Sequence, residues 1–345
     1  MKKITTLTLT LLLIASLAGC SKKDKDEDLD DKDLVENYTF TEKVTIDFGN
    51  DGAPTISNSL EGSGVAVTTD GANVTVVSTT DENVEYTLTG TTSSGSLKIY
   101  SDKKFKLTLS GINMTSVNQP AINIQSSKRA YVVLSEGTSN SLTDSGEYDT
   151  DRDQNSDGED RKGTLFSEGQ LIISGNGSLK VNAFVKHAIA TDEYLRIRQG
   201  NISIYADNAD GIHVKEYLWV ENGTISIEAK SDGIQCTKGY ITIDAGTLQI
   251  NSQDDCIRTT YGQDPNNDTD STIVTDITIR GGSIQVASSK LKDSAFGIYS
   301  TQRVLIGGGQ IRASVYNQSH ALFGEAGVSN LDNYDWTAHY VYTKP

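Results

Sequence analysis

Ala188-Ile189-Ala190-Thr191-Asp192-Glu193-Tyr194-Leu195-Arg196-Ile197, Gly211-Ile212-His213-Val214-Lys215-Glu216-Tyr217-Leu218-Trp219-Val220 and Gly233-Ile234-Gln235-Cys236-Thr237-Lys238-Gly239-Tyr240-Ile241-Thr242-Ile243 are three versions of one segment. The anchors Ile189, Ile212, Ile234 and Ile257 stand 23, 22 and 23 residues apart. A second marker keeps step: Gly177-Ser178-Leu179, Gly200-Asn201-Ile202, Gly223-Thr224-Ile225 and Gly246-Thr247-Leu248 follow one another at intervals of 23. Each unit holds three short alternating runs, such as Ile212/Val214, Leu218/Val220 and Ile225/Ile227, and alternation marks half-buried strands. No segment keeps a helical period over three turns. One unit cannot bury its apolar face alone, whereas coils stacked about 4.8 Å apart pair their backbones and share a core. The chain is therefore expected to be all-β: a right-handed, single-stranded parallel β-helix with coils of 22–24 residues.

The phase extends outward from the quoted stretch. Leu165 lies 24 residues before Ile189, and Ile122 lies 43 before Leu165, the excess being an acidic insertion over residues 144–162. Ile298 is 41 past Ile257, owing to a loop near residues 261–271, and Leu322 follows 24 later. Residues 38–110 carry strands in looser spacing and are expected to form irregular first coils. Residues 325–345, with Trp336, Tyr340 and Tyr342, are expected to close the far end.

The chain starts with an address. Lys2 and Lys3 precede an apolar run, Leu7 to Ala15, too short to span a bilayer. It ends in Leu17-Ala18-Gly19-Cys20, which resembles the lipobox of bacterial lipoproteins. That resemblance implies cleavage after a signal peptide of residues 1–19 and lipidation of Cys20, an anchor to which each buried CH₂ contributes about 0.8 kcal/mol. Residues 20–37 open with Ser21-Lys22-Lys23-Asp24-Lys25-Asp26-Glu27-Asp28 and read as a disordered acidic tether. The run is similar to export signals of some surface lipoproteins, and equally fits a solvated spacer. The expected location is the outer membrane, facing outward.

Loss of Lys2 and Lys3 moves the formal charge from −16 to −18. Such a balance excludes a nucleic-acid partner and favours divalent cations. Besides Cys20 only Cys236 and Cys256 occur, too few for a disulfide framework; Cys236 falls on an inward phase and reads as a buried free thiol. Oligomeric state is not legible.

Stacking turns the period into rows of side chains. The position before each anchor pair reads His187, Asp210, Asp232, Asp255, Phe296 and His320, with Asp254 beside Asp255. Asp-Gly is ordinary turn chemistry. Carboxylates one rung apart also repel by about 3.5 kcal/mol at an effective dielectric of about 20, which a cation would offset, and oxygen-only ligands point to Ca²⁺. Asp210, Asp232, Asp254 and Asp255 are the candidate metal ligands. One residue past the anchors, the outward strip reads Phe166, Ala190, His213, Gln235, Arg258, Tyr299 and Phe323. It is either a solvated face or a glycan surface on which rings stack on sugars and Arg258 pairs with a uronate; Phe166, His213, Gln235, Arg258 and Tyr299 are the candidate contacts. Tyr194, Tyr217 and Tyr240 form another row, read as inter-coil packing. Asp153, Asn155 and Asp157 in the insertion match the first half of an EF-hand loop and offer a second Ca²⁺ site, although the twelfth position is Thr164.

Ala121-Ile122-Asn123-Ile124-Gln125, Leu165-Phe166-Ser167-Glu168-Gly169-Gln170-Leu171, Lys186-His187-Ala188-Ile189, Asp210-Gly211-Ile212-His213 and Asp232-Gly233-Ile234 resemble the bacterial carbohydrate-binding β-helix family related to family-nine pectate lyases. The likeness spans roughly residues 85–325. It implies a parallel β-helix that binds Ca²⁺ and cellulosic or pectic polysaccharide without established catalysis. In the related lyases a carboxylate cluster holds Ca²⁺ beside a lysine base. Asp210, Asp232, Asp254 and Asp255 match the phase of that cluster, and Lys290 and Lys292 are the candidates for the base, although Asp293 and Phe296 depart from the pattern around them. A Ca²⁺-bound polysaccharide-binding lipoprotein is thus the first expectation, and a Ca²⁺-dependent polyuronate lyase the second. A pectin-type hydrolase comes third: Asn208-Ala209-Asp210-Gly211 and Asp254-Asp255-Cys256 loosely resemble polygalacturonase motifs, while that family's Gly-His-Gly and Arg-Ile-Lys elements are missing. A purely adhesive or structural surface role is compatible with all three.

Overall fold

The computed structural model describes residues 32–263, 270–289, 294–332 and 334–344. The signal peptide, Cys20, the tether up to residue 31, Lys290 and Lys292 lie outside these described residues. No helix among them is long and apolar enough to cross a membrane.

Alternation becomes burial. Thr224–Ala229 and Thr247–Ser252 each alternate exposed and buried along six residues, and their inward Ile225, Ile227, Leu248 and Ile250 lie in the core. One coil consists of Ile212–Val214, Tyr217–Val220 and Thr224–Ala229; the next consists of Ile234–Cys236, Tyr240–Ile243 and Thr247–Ser252. Each strand pairs in parallel with its counterpart one coil on. The described residues thus stack as a β-solenoid of about 10 turns. The anchors align as the period requires: Ile122, Leu165, Ile189, Ile212, Ile234, Ile257, Ile298 and Leu322 are successive partners. The two long intervals are therefore excursions from the coil and not breaks in it.

The first strands of the coils make an 11-stranded sheet. The second and third strands belong to one 20-stranded sheet because, in the earliest coils, single long strands run across both faces. Phe105–Val117 pairs through its first half with Ala130–Leu134 and through its second with Ser139–Ser145. The N-terminal edge is closed by two antiparallel pairings, Glu42–Asn50 with Thr55–Asn58 and Val65–Asp70 with Asn73–Ser78. Hairpins here end the parallel ladders in short antiparallel edge strands. At the other end Val328–Asn330 and Tyr340–Thr343 add a further rung, and Tyr334, Trp336, Tyr340 and Tyr342 pack against the core.

The recurring glycine has a backbone reason. Gly223 and Gly246 have φ of +112° and +96°, and a Cβ would stand 2.8 Å from Gly200 O and 2.7 Å from Gly223 O respectively. Only glycine permits both the left-handed turn and this close stacking of successive coils.

The expected tether is too long by six residues. Residues 32–37 lie docked on the second face of the stack. Asp33 is fully buried; its Oδ1 accepts from Arg129 Nε at 2.7 Å and from Tyr194 OH at 2.6 Å. Glu36 takes both terminal nitrogens of Arg198, at 2.7 and 2.8 Å. The segment covers the tyrosine row, whose rings stack at 4.4 Å (Tyr194 on Tyr217) and 4.9 Å (Tyr217 on Tyr240). Its own composition is that of a solvated linker; three arginines from distant coils order it.

Candidate functional site

The row of acids ahead of the first sheet is a hydrogen-bonded ladder. His187 Nδ1 accepts the Asp210 N–H at 3.2 Å, Asp210 Oδ1 accepts the Asp232 N–H at 3.1 Å, Asp232 Oδ1 accepts the Asp255 N–H at 3.0 Å, and Asp255 Oδ1 accepts the Phe296 N–H at 2.7 Å. Each side chain thus satisfies the turn amide of the following rung, which would otherwise be buried without a partner. The second carboxylate oxygen reaches the outward residue three positions on: Asp210 meets His213 at 2.9 Å, Asp232 meets Gln235 at 2.8 Å, and Asp255 meets Arg258 at 3.0 Å. The buried ladder thereby positions the outward strip.

That strip is in register: His213, Gln235, Arg258, Tyr299 and Phe323 are partners on successive rungs. Four steps at rung spacing span about 19 Å. His213, Gln235 and Arg258 are half-buried and Phe323 is exposed. Phe166, expected on the same surface, is fully buried and unavailable to a ligand, and Ala190 is buried as well. The reason is the insertion of residues 144–162, which folds over the early part of the strip. Lys98 Nζ bonds Glu159 at 2.6 Å, Gln125 Nε2 donates to Asp160 O at 2.8 Å, and the Lys162 ammonium stands 5.8 Å from the Phe166 ring centre. Tyr299 is also more enclosed than expected, at 6% exposure.

Two cavities flank the open strip. One, of about 420 Å³, is lined by Asp254, Asp255, Arg258, Gln263, Ser294, Phe296, Tyr299 and Phe323. Arg258 donates to Gln263 Oε1 at 2.8 Å, Gln263 Nε2 donates to Tyr299 OH at 2.6 Å, and Tyr299 donates to Glu325 at 2.5 Å. Phe296 stacks on His320 at 4.2 Å and leans on Phe323 at 5.4 Å, so the cavity has an aromatic wall facing a guanidinium. The other cavity, of about 390 Å³, is lined by Lys162, Asp192, His213, Lys215, Thr237, Lys238 and Tyr261. Phe296 and His320 were legible as members of the ladder column, and Lys215, Lys238 and Tyr261 recur at intervals of 23 as a further row beside the strip; Gln263 carried no periodic signal.

The four acids named as candidate metal ligands divide into two groups. Oxygens of Asp232, Asp254 and Asp255 lie within 4.8 Å of one another, whereas Asp210 groups with His187 and His213. Burial, then the neighbouring Asp210, push the Asp232 carboxyl up to about 8, against the pull of Arg258. Asp210 is held far below the carboxylate range by its two histidines, despite burial. Burial pushes His187 down to about 4, so its imidazole is neutral.

In the second candidate Ca²⁺ loop, hydrogen bonds and ion pairs hold the turn. Asn155 Oδ1 accepts from Arg161 at 2.7 Å, Asp157 is paired with Arg161 and Lys98, and Asn155 Nδ2 ties the turn by donating to three carbonyls. Basic side chains from within and beyond the loop thus engage the oxygens of Asn155 and Asp157. Cys236 and Cys256 are both buried and free.

The sequence model of a family described as carbohydrate-binding domain-containing protein matches residues 70–328. A relative from Acetivibrio thermocellus with the same description is 34% identical over 125 residues, which make up 35% of this chain and 42% of the relative. The match therefore spans less than half of that relative's length. A solved structure described as the polysaccharide lyase-like protein from C. thermocellum, as a gadolinium derivative, aligns over 87% of this chain and 100% of its own, with a TM-score of 0.59 and 22% identity. That likeness concerns the fold.

Proposed function

This chain belongs to the family of carbohydrate-binding domain-containing proteins, and on that premise we propose that it is a noncatalytic cell-envelope lipoprotein, anchored through Cys20, that holds a pectic or cellulosic chain along the strip from His213 to Phe323. The observation that carries this reading is the in-register strip ending in a cavity with Arg258 on one side and the Phe296–Phe323 aromatic wall on the other. Aromatic faces suit the apolar faces of sugar rings, and a guanidinium suits a uronate carboxylate.

Ca²⁺ fits the same end of the strip. Asp232, Asp254 and Asp255 would hold it, since their oxygens already converge and Asp232 is short of counter-charge. Arg258 now supplies part of that charge, 3.0 Å from Asp255 and 3.5 Å from Asp232. A bound cation would release the guanidinium towards a uronate and would itself bridge to the glycan. Hydrolysis is disfavoured by the chemistry of the acids: Asp210 holds no proton to donate, and Asp210 and Asp255 each commit one oxygen to the ladder. A polyuronate lyase is the second reading, favoured by the same carboxylate group, with its base sought at Lys290 or Lys292.

The test is polygalacturonate and cellulose binding with and without Ca²⁺. Binding is expected to need Ca²⁺ on the uronate, to weaken with salt, and to fall with Arg258→Ala or Phe323→Ala. No ultraviolet-absorbing unsaturated uronate should form. Absorbance growth abolished by Lys290→Ala or Lys292→Ala would replace this reading with the lyase; new reducing ends without it would favour hydrolysis. Cys20→Ala should release the protein from the membrane fraction or leave it unprocessed.

A further inference from the structure

At the His213 end of the strip, two rungs before Arg258, the ladder changes its chemistry. His187 and His213 come from adjacent rungs and stack with ring centres 4.1 Å apart. Asp210 Oδ2 sits beside both, 3.3 Å from His187 Nδ1 and 2.9 Å from His213 Nδ1. One donor atom from each of the three residues lies within 4.8 Å of the other two. His187 is 7% exposed and Asp210 4%, so two of the three are fixed in the wall; His213 is half-buried and opens onto the 390 Å³ cavity.

The other rungs set their second carboxylate oxygen against a fixed N–H donor, and this one sets it against imidazole. Asp232 faces the amide of Gln235 and Asp255 faces Arg258, both side chains with fixed N–H donors. Here a carboxylate faces two imidazoles, and His187 Nδ1 has conflicting neighbours. The Asp210 N–H points at it from 3.2 Å, which calls for a lone pair, while Asp210 Oδ2 stands 3.3 Å away, which calls for a proton. No protonation state of that nitrogen satisfies both contacts. In the neutral ring a nitrogen lone pair and a carboxylate oxygen oppose each other inside the protein, where such conflict is poorly screened. A divalent ion attracts both atoms, at the cost of one long amide contact.

The geometry points to a transition-metal site formed by His187, Asp210 and His213, with Zn²⁺ as its simplest occupant. Separations of 2.9 and 3.3 Å between donor atoms are those of neighbouring ligands on one ion with bonds of about 2.0–2.2 Å. Two imidazoles and one carboxylate select first-row transition ions over Ca²⁺, which prefers oxygen alone. Three protein ligands leave a coordination position open, on the side of His213, where Lys215 and Lys238 line the cavity. A Zn²⁺ held by one carboxylate keeps a net positive charge there, so the open position suits an anionic ligand such as a carboxylate. This site is separate from Asp232, Asp254 and Asp255 and does not depend on glycan binding.

The test uses the purified, chelator-treated protein with Zn²⁺ and Co²⁺ as probes. One equivalent of Zn²⁺ should be taken up in competition with a chromophoric chelator, and Co²⁺ should give the visible absorption of a nitrogen-ligated site. His213→Ala and Asp210→Asn should each weaken uptake by more than about tenfold, while Asp254→Asn leaves it unchanged. Asn at 210 retains the Oδ1 acceptor for the Asp232 N–H, so that variant keeps the ladder. Long-range proton–nitrogen spectra supply a readout free of mutation: of the four histidines, only His187 and His213 should shift with Zn²⁺. No stoichiometric uptake, uptake that survives both variants, or shifts confined to His320 and His339 would each overturn the assignment.

Discussion

Asp33 and Arg196 are 163 positions apart in the chain, yet Asp33 Oδ2 and Arg196 Nη1 meet at 3.3 Å, both side chains being almost fully buried. The contact staples the start of the described chain to the middle of the solenoid, alongside the shorter contacts of Asp33 with Arg129 and Tyr194.

Asp33→Ala leaves buried basic groups short of their counter-charge, which costs about 3 kcal/mol when one partner of a buried pair is removed. Glu36→Ala removes a side chain that is 56% exposed, and should cost less than about 1 kcal/mol. Denaturant unfolding of the two variants measures the contrast. Equal and small losses would mean that the segment is not docked in solution.

Asp232 sets a pH dependence whose sign follows from its environment. Its folded pKa is raised to about 8 from 3.8, so over that window the folded state holds a proton the unfolded chain has lost, and stability falls as pH rises. His187, lowered from 6.5 to about 4, acts in the opposite sense, but its contribution is complete above pH 6.5. Between pH 6.5 and 8, in chelator, unfolding free energy should therefore decline, by at most about 2 kcal/mol. Asp232→Asn should flatten the decline. A wild-type profile without slope in that interval refutes the account.

Gly223→Ala should be costlier than Gly137→Ala. Both positions have positive φ, +112° and +73°, but a Cβ at 137 meets nothing within 4 Å, whereas at 223 it strikes Gly200 O. Backbone strain alone predicts about 1 kcal/mol at Gly137, and strain with the clash at least about twice that at Gly223. Thermal melts of the pair decide it.

Cys236 and Cys256 should resist thiol reagents in the native protein. Both are fully buried, and burial pushes each thiol up to about 12, so hardly any thiolate forms at neutral pH. Peptide mapping after labelling should find both unmodified until denaturant is added. Rapid native labelling of either would show that the coils open there.

The candidate site was legible in its register and illegible in its access. The 23-residue period placed His213, Gln235, Arg258, Tyr299 and Phe323 in one outward row, and the strand pairing has them so. Phe166 obeys the same period and is nonetheless buried, because residues 144–162 fold back over it through ion pairs that no period announces. The EF-hand-like run Asp153, Asn155 and Asp157 likewise has the spacing of ligands, and no spacing announces that Arg161 and Lys98 engage the oxygens of Asn155 and Asp157. Asp210 shares the column of Asp232 and Asp255 while belonging to the histidines, since its partner three residues on is His213 and the rung before it supplies His187.

By itself the sequence determined the solenoid, because strand alternation and coil length are local properties that repeat. Once one coil has a buried face, the next can bury it only by adopting the same path. The tertiary structure decided which part of the repeated surface is open, which acids sit with Arg258 and which with imidazoles, and that residues 32–37 are bound to the stack. Those outcomes depend on how contacts three positions apart combine with others that reach from 23 to 163 positions away. The strength of such contacts is set by burial and by neighbouring charge, and neither is a property of any one stretch of chain.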